Sequence, residues 1–241
     1  MTGFKIFAKA IELVLNNWKV AAQIALVPML LMILVTVGAA HSLRGTSGGA
    51  VAFGPGVFLA AVVGVFSWLW VAVAWHRFIL LSEYPSGWVP AIKPSKIGIY
   101  FAHSLLIALA LAVILVPLVL VVGIIFSGSS VLTLLVSFIF YMMGTLLFYR
   151  LSPILPAAAI GKPLSVSGAW NATRGRVDTF VGLIVAGVVF GIIVGLLSSI
   201  VTRLPVIGGI LDLLVQVIAI LIGVSVLSTI YGVFVEERSL D

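Results

Sequence analysis

The sequence predicts an all-α, polytopic integral membrane protein with six transmembrane helices. Hydrophobic residues make up 63% of its 241 residues and charged residues only 8%, and the mean hydropathy is +1.35. A soluble domain carries roughly 25% charged residues, which keep its surface in water. Most of this surface must therefore face lipid, and we expect residues 1–241 to form a single transmembrane domain.

Six apolar stretches are long enough to cross a bilayer, which takes about 20 residues at a rise of about 1.5 Å each. They are bounded by Gly, Pro or charged residues and lie at about 20–40, 56–74, 98–126, 131–148, 180–200 and 209–234. Gly38-Ala39-Ala40 could end a signal peptide, but the long amphipathic segment before this run favours a first membrane helix. The even number of spans places both termini on one side.

The distribution of cations predicts which side that is. The chain has 13 Lys and Arg residues. With a cytoplasmic N-terminus, all but Arg44 and Arg203 lie on the cytoplasmic side, as the positive-inside rule requires. The sequence therefore predicts an N-in, C-in multi-pass protein of the bacterial inner (cytoplasmic) membrane. Because the cations sit at the ends of apolar runs and form no groove-tracking patch, nucleic-acid binding is not expected.

Residues 1–18 are predicted to form an amphipathic helix. Its apolar positions follow the spacing of three and four that is typical of one helix face, and Trp18 suits the membrane interface. We expect a surface helix on the cytoplasmic leaflet that leads into the first span; a partner-docking helix is the alternative. Trp18, Trp88 and Trp170 each precede an odd-numbered span, which is consistent with three tandem helical hairpins.

Residues 151–176 are the most distinctive loop on the predicted inner side. The prolines at 153, 156 and 163 and Gly161 interrupt any continuous helix. Ser165 or Ser167 can then cap a short helix that ends near Gly175.

This region also carries a family resemblance. Tyr-Arg-Leu at 149–151, Leu-Pro-Ala-Ala-Ala at 155–159, Gly-Lys-Pro-Leu-Ser at 161–165, Ala-Trp at 169–170 and Thr-Arg-Gly-Arg at 173–176 follow one another closely. This order resembles the six-helix membrane domain attached to some bacterial glycerophosphoryl diester phosphodiesterases, and its stand-alone relatives. In the fused relatives a separate soluble domain performs catalysis, so the resemblance implies no catalytic residue and no phosphodiesterase activity here.

The three histidines raise the question of a cofactor. His76 and His103 could lie at similar depth on neighbouring helices, which a b-type haem would need. The alternative interpretation is that His76 and Arg77 form a snorkelling interfacial pair and that His103 is a packing residue. We expect no cofactor and no metal, since no suitably spaced ligand set is present and the chain has no cysteine.

Two further features concern the interior of the membrane. Gly187, Gly191, Gly195 and Ser199 form a stripe of small residues that allows close helix packing, either within the chain or between copies. Asp212 lies near the outer start of the sixth span, with Gln216 one turn on. A carboxylate in hydrocarbon is costly, so a structural pair of Asp212 with Arg203 is preferred over a proton or cation relay.

The sequence contains no nucleophile motif and no acid–base cluster, so an enzyme is not expected. We expect a non-enzymatic protein that acts by binding, as an accessory or assembly subunit of a membrane complex or as an envelope organiser. Its expected partners are the lipid bilayer and either another membrane protein or a second copy. A small solute or ion transporter or channel is the alternative.

Overall fold

The computed structural model describes residues 2–44, 54–125, 129–205 and 207–240. Helices account for 83% of it, and these residues contain no strand. Residues 45–53, between the first and second predicted spans, and residues 126–128, at and after the end of the third, lie outside the described residues.

The described residues form nine helices, and six of them are long and apolar enough to cross a membrane. These six are α2 (Trp18–Arg44), α3 (Pro55–Leu81), α4 (Pro94–Ile125), α5 (Ser130–Leu151), α8 (Val177–Val201) and α9 (Gly208–Phe234). The three others are α1 (Thr2–Asn16), α6 (Ile154–Ile160) and α7 (Val166–Ala172). The predicted fold class is thus confirmed.

Several helix boundaries differ from those expected from hydropathy. α3 runs seven residues beyond the predicted end at Ala74, as far as Leu81. This happens because most residues of its last two turns, including His76, are buried among other helices, and Arg77 is partly buried. α2 continues through Pro28 without ending.

The segment 151–176 is interrupted as predicted but more ordered than expected. α5 ends at Leu151, and Gly161, with φ +80°, ends α6 in the left-handed conformation. α6 itself was not expected. It tolerates Pro156 because a proline in the first helical turn removes an N–H that has no intrahelical acceptor. Ser165 caps α7 by accepting a hydrogen bond from the Gly168 N–H at 3.0 Å, as predicted.

The transmembrane helices associate in three sequential pairs. α2 packs on α3, α4 on α5, and α8 on α9. α3 also contacts α9 and α4, and the short helix α6 fits between α3, α4 and α9. Every residue of α6 is buried, so this short helix fills the space between α3, α4 and α9.

The tightly packed core lies toward one end of the bundle. In α3 the buried residues are confined to positions 67–80, in α8 to 179–184 and, apart from Gly208, in α9 to 221–232. This same end holds most of the charged side chains, including Arg77, Glu83, Lys162, Glu236 and Arg238, and we call it the charged end. The opposite halves of α4, α5 and α8 expose large apolar side chains such as Val113, Leu134 and Ile193, as lipid-facing surfaces do.

α1 belongs to this core and does not merely rest on a leaflet. Ile6 and Ala10 are fully buried, and α1 packs against α8 and α9. At Gly3 an added Cβ would lie 2.1 Å from the Thr179 carbonyl oxygen, so only glycine permits this approach. Phe4 and Leu15 remain exposed, so α1 combines a protein-facing side with an apolar side available to lipid.

We predict that the charged end faces the cytoplasm, because it gathers nearly all of the Lys and Arg residues. Since the chain has no native cysteine, single Ser167→Cys and Thr202→Cys variants report the two ends separately. In intact cells a membrane-impermeant maleimide should label Thr202→Cys, and it should label Ser167→Cys only after permeabilisation. The reverse pattern would contradict the orientation.

Candidate functional site

A set of hydrogen-bonded polar side chains joins three helices inside the charged end, and we call it the core junction. Trp75 on α3 donates from Nε1 to the Ser225 hydroxyl on α9 at 2.7 Å. His76 Nδ1 lies 2.7 Å from the Ser228 hydroxyl, and His76 Nε2 lies 3.2 Å from the Tyr100 hydroxyl on α4. Trp75, His76, Ser225 and Ser228 are all fully buried.

The surrounding bonds allow the proton positions in the core junction to be assigned. The Ser228 hydroxyl lies 3.2 Å from the Val224 carbonyl oxygen and donates to it, so its oxygen accepts from His76 Nδ1–H. Tyr100 O–H then donates to His76 Nε2. This assignment makes His76 a neutral tautomer with both ring nitrogens engaged, and the interfacial interpretation of His76 is wrong. Sequence analysis did not predict the roles of Tyr100, Ser225 and Ser228. Ser225 and Ser228, two hydroxyls about one turn apart in an apolar span, could have indicated a buried hydrogen-bonding site.

Ion pairs close the charged end around α3. Glu83 binds Arg77, with the Nε to Oε2 distance at 2.9 Å, and Lys93, with the Nζ to Oε1 distance at 2.6 Å. Arg77 Nη1 also donates to the Ala159 carbonyl oxygen of α6 at 3.0 Å. Partial burial raises the pKa of Glu83, but the hydrogen bonds and charges of Arg77 and Lys93 outweigh it and hold this pKa below its usual value. Glu83 is therefore ionised at neutral pH, and its contribution to stability is lost only as the pH falls through that lowered pKa.

The C-terminal segment is tied to the same end. Arg238 donates to the Leu80 carbonyl oxygen at 2.9 Å and pairs with Glu236. Lys162 donates to Glu236 at 2.9 Å, and this hydrogen bond raises the pKa of Lys162. These contacts bring the end of α3, the segment after α6 and the residues after α9 together.

Two cavities differ in character. The larger, about 300 Å³, is an apolar groove on the outside of the bundle between α2 and α9, and we call it the α2–α9 groove. The smaller, about 70 Å³, lies under the loop after α3 and is bordered by Arg77, Glu83 and Lys93. A cavity of this volume can hold a few water molecules but not a large solute. The charged side chains that border it are also already paired with one another.

The stripe of small residues on α8 is only partly covered within the chain. An added Cβ at Gly187 would lie 3.8 Å from the Tyr149 hydroxyl, whereas at Gly191 and Gly195 nothing described lies within 4 Å. Ser199 bonds the Leu196 carbonyl oxygen of its own helix at 2.7 Å. Packing within the chain accounts for Gly187, and a packing role for the other three residues stays a prediction.

The far end of the bundle holds the predicted pair of Arg203 and Asp212. In the described ranges no ion pair joins them, and Asp212 Oδ1 is buried without a hydrogen-bond partner, so the pairing stays a prediction. Gln216, one turn from Asp212, donates instead to the Ser198 hydroxyl of α8 at 3.0 Å.

His103 is not joined to His76 in one site. His103 Nδ1 bonds the Ile99 carbonyl oxygen of its own helix at 2.8 Å, while His76 binds Ser228 and Tyr100. Among the residues that the structure describes, no three His, Asp or Glu side chains gather in a group able to hold a metal ion.

Comparisons of the chain with protein-family models, curated proteins and solved structures found no match. The resemblance carried by residues 149–176 therefore stays a prediction.

Removing the Ser228 hydroxyl should destabilise the protein by about 1–3 kcal/mol, because His76 Nδ1–H would be left buried without an acceptor. The matched control is Ser199→Ala, at an exposed position whose hydroxyl bonds only its own helix, where little change is expected. The free energy of unfolding in mixed detergent micelles measures both. Equal losses in the two variants would contradict a structural role for the core junction.

Proposed function

We propose that the protein acts by binding another membrane protein, as an accessory or assembly subunit of a complex in the bacterial inner membrane. The α2–α9 groove is the observation that carries this proposal. It is lined by apolar residues of α1, α2 and α9, and it opens to the lipid-facing surface.

The shape of the α2–α9 groove suits a partner helix. Along α2 it extends from Trp18 to Ile33, which spans about 22 Å at about 1.5 Å per residue. Its α2 side includes Ala21, Ala22 and Ala25. Small residues spaced four apart let two helix backbones approach closely in a membrane, where association depends on packing and not on the hydrophobic effect.

The polar interior also favours binding over transport. A transporter lines its path with polar groups and broken helices near the midplane. Here the polar groups of the core junction bond one another, and the cations bordering the small cavity are paired with Glu83. These side chains would have to break existing contacts before they could bind a solute.

A small transporter or channel is the second candidate, favoured by one observation. Asp212 Oδ1 is buried without a partner in a span where an unpaired carboxylate is costly, and such residues are by default candidates for ion handling. The nearby bond between Gln216 and Ser198 adds a polar contact at the same end of the bundle.

Filling the α2–α9 groove tests the proposal. Wild-type protein, Ala22→Phe and the control Ala61→Phe, which alters an exposed position on α3, are extracted in a lipid-preserving polymer and analysed by quantitative mass spectrometry. The wild type and the control should retain a stoichiometric membrane-protein partner. Ala22→Phe should bind it about tenfold more weakly, since overpacking costs about 1–3 kcal/mol.

Recovery of the wild type with bulk lipid alone, or equal retention by all three proteins, would contradict partner binding through this groove. Ion or solute flux that is present in the wild type and lost in Asp212→Asn would then favour the transporter.

A further inference from the structure

Three arginines of the charged end stand apart from the ion pairs described above. Arg150, Arg174 and Arg176 have no carboxylate partner in the described part of the chain, whereas Arg77 and Arg238 are paired there. Arg150 and Arg176 meet the aromatic faces of Trp170 and Phe234. Guanidinium groups also favour carboxylates and phosphates, and no carboxylate of the described residues supplies that partner to any of the three.

Arg150 is held in place with most of its hydrogen-bonding capacity unused. Its Cζ lies 3.5 Å from the ring centroid of Trp170, and Nη2 donates to the Trp170 carbonyl oxygen at 3.2 Å. This is its only hydrogen bond as a donor among the described residues, and its Nε is buried without a partner. A guanidinium has five N–H donors. The stack on Trp170 fixes the orientation of Arg150, and its remaining N–H groups could donate hydrogen bonds to an anion.

Arg174 adds a second positive charge beside Arg150. Thr173, the residue before Arg174, ties this turn to α5 by donating a hydrogen bond to the Arg150 carbonyl oxygen at 3.3 Å. Asp178, the acidic residue closest to Arg174 in the chain, is exposed and forms no ion pair with either arginine among the described residues. No carboxylate of the described residues neutralises either guanidinium, so a bound anion would supply the missing counter-charge.

The surroundings of this pair are those of a membrane interface. Val166, Trp170 and Val177 are exposed apolar residues of the segment that carries Arg174, and Trp170 stacks on Arg150. Tryptophan and snorkelling cations occupy the level of the lipid headgroups. The anionic group that a phospholipid presents at this level of the bilayer is its headgroup phosphate.

We infer that Arg150 and Arg174, with Trp170 as the stacking platform, form a site for the phosphate of an anionic membrane lipid. A phosphate suits this site because its oxygens accept several charge-assisted hydrogen bonds from a planar guanidinium at once. This site is separate from the α2–α9 groove, and the inference does not depend on the partner proposed for that groove.

Native mass spectrometry of the full chain in detergent tests the site, with phosphatidylglycerol and phosphatidylcholine of identical acyl chains as probes. Arg174→Gln removes one exposed cation and should weaken phosphatidylglycerol binding about fivefold, the effect expected for one interfacial cation. The matched control is Arg203→Gln, which removes an exposed arginine at the opposite end that forms no ion pair among the described residues. Trp170→Leu leaves the net charge unchanged, frees Arg150 and should also weaken binding.

A preference for phosphatidylglycerol that falls in Arg174→Gln and Trp170→Leu but not in Arg203→Gln supports the site. Equal losses in Arg174→Gln and Arg203→Gln would overturn it, since binding would then follow net charge alone. Unchanged binding in Trp170→Leu would also overturn it. Displacement of the lipid by millimolar inorganic phosphate would overturn the lipid assignment and indicate a site for free phosphate.

Discussion

Two buried hydrogen bonds between α3 and α9 hold the rest of the structure in place. In hydrocarbon a polar side chain without a partner is costly, so Trp75 with Ser225, and His76 with Ser228, set the rotation and depth of these two helices relative to each other. Once α3 and α9 are aligned, Tyr100 attaches α4 through His76. Arg77, which follows His76 in α3, attaches α6 by donating a hydrogen bond to the Ala159 carbonyl oxygen.

The consequence is a bundle with two different halves. At the charged end α1 and α6 fill the space between the transmembrane helices, and ion pairs close the loops over them. In the other half the helices present large apolar side chains to lipid, and the α2–α9 groove runs along the surface from Trp18 toward this half. A closed core beside an open apolar surface is consistent with the proposed binding role, and the proposed lipid site lies at the charged end near Trp170.

The number and approximate positions of the transmembrane helices were predictable, because a long continuous apolar stretch indicates a span regardless of which helices pack against it. The helix cap at Ser165 was predictable for local reasons, whereas α7 ends at Ala172 with Thr173 as its C-cap, three residues before the predicted stop at Gly175. The buried face of α1 was not. Periodicity favoured an apolar side that includes Phe4, which stays exposed, whereas Ile6 and Ala10 are the enclosed residues. The reason is that α8 approaches α1 closely at Gly3. α6 and the core junction were missed because uniformly apolar spans carry no periodic signal and the pairing of His76 depends on helices distant in sequence.

The packing of α1 into the charged end is most directly tested by amide hydrogen exchange over residues 2–16 in lipid nanodiscs, for the wild type and for Gly3→Val. If α1 is a buried element, its amides exchange slowly in the wild type. They become fast in Gly3→Val, whose side chain cannot fit against the Thr179 carbonyl oxygen. Fast exchange in the wild type, or no difference between the two proteins, would contradict the account, since α1 would then lie on the membrane surface without a fixed place in the bundle.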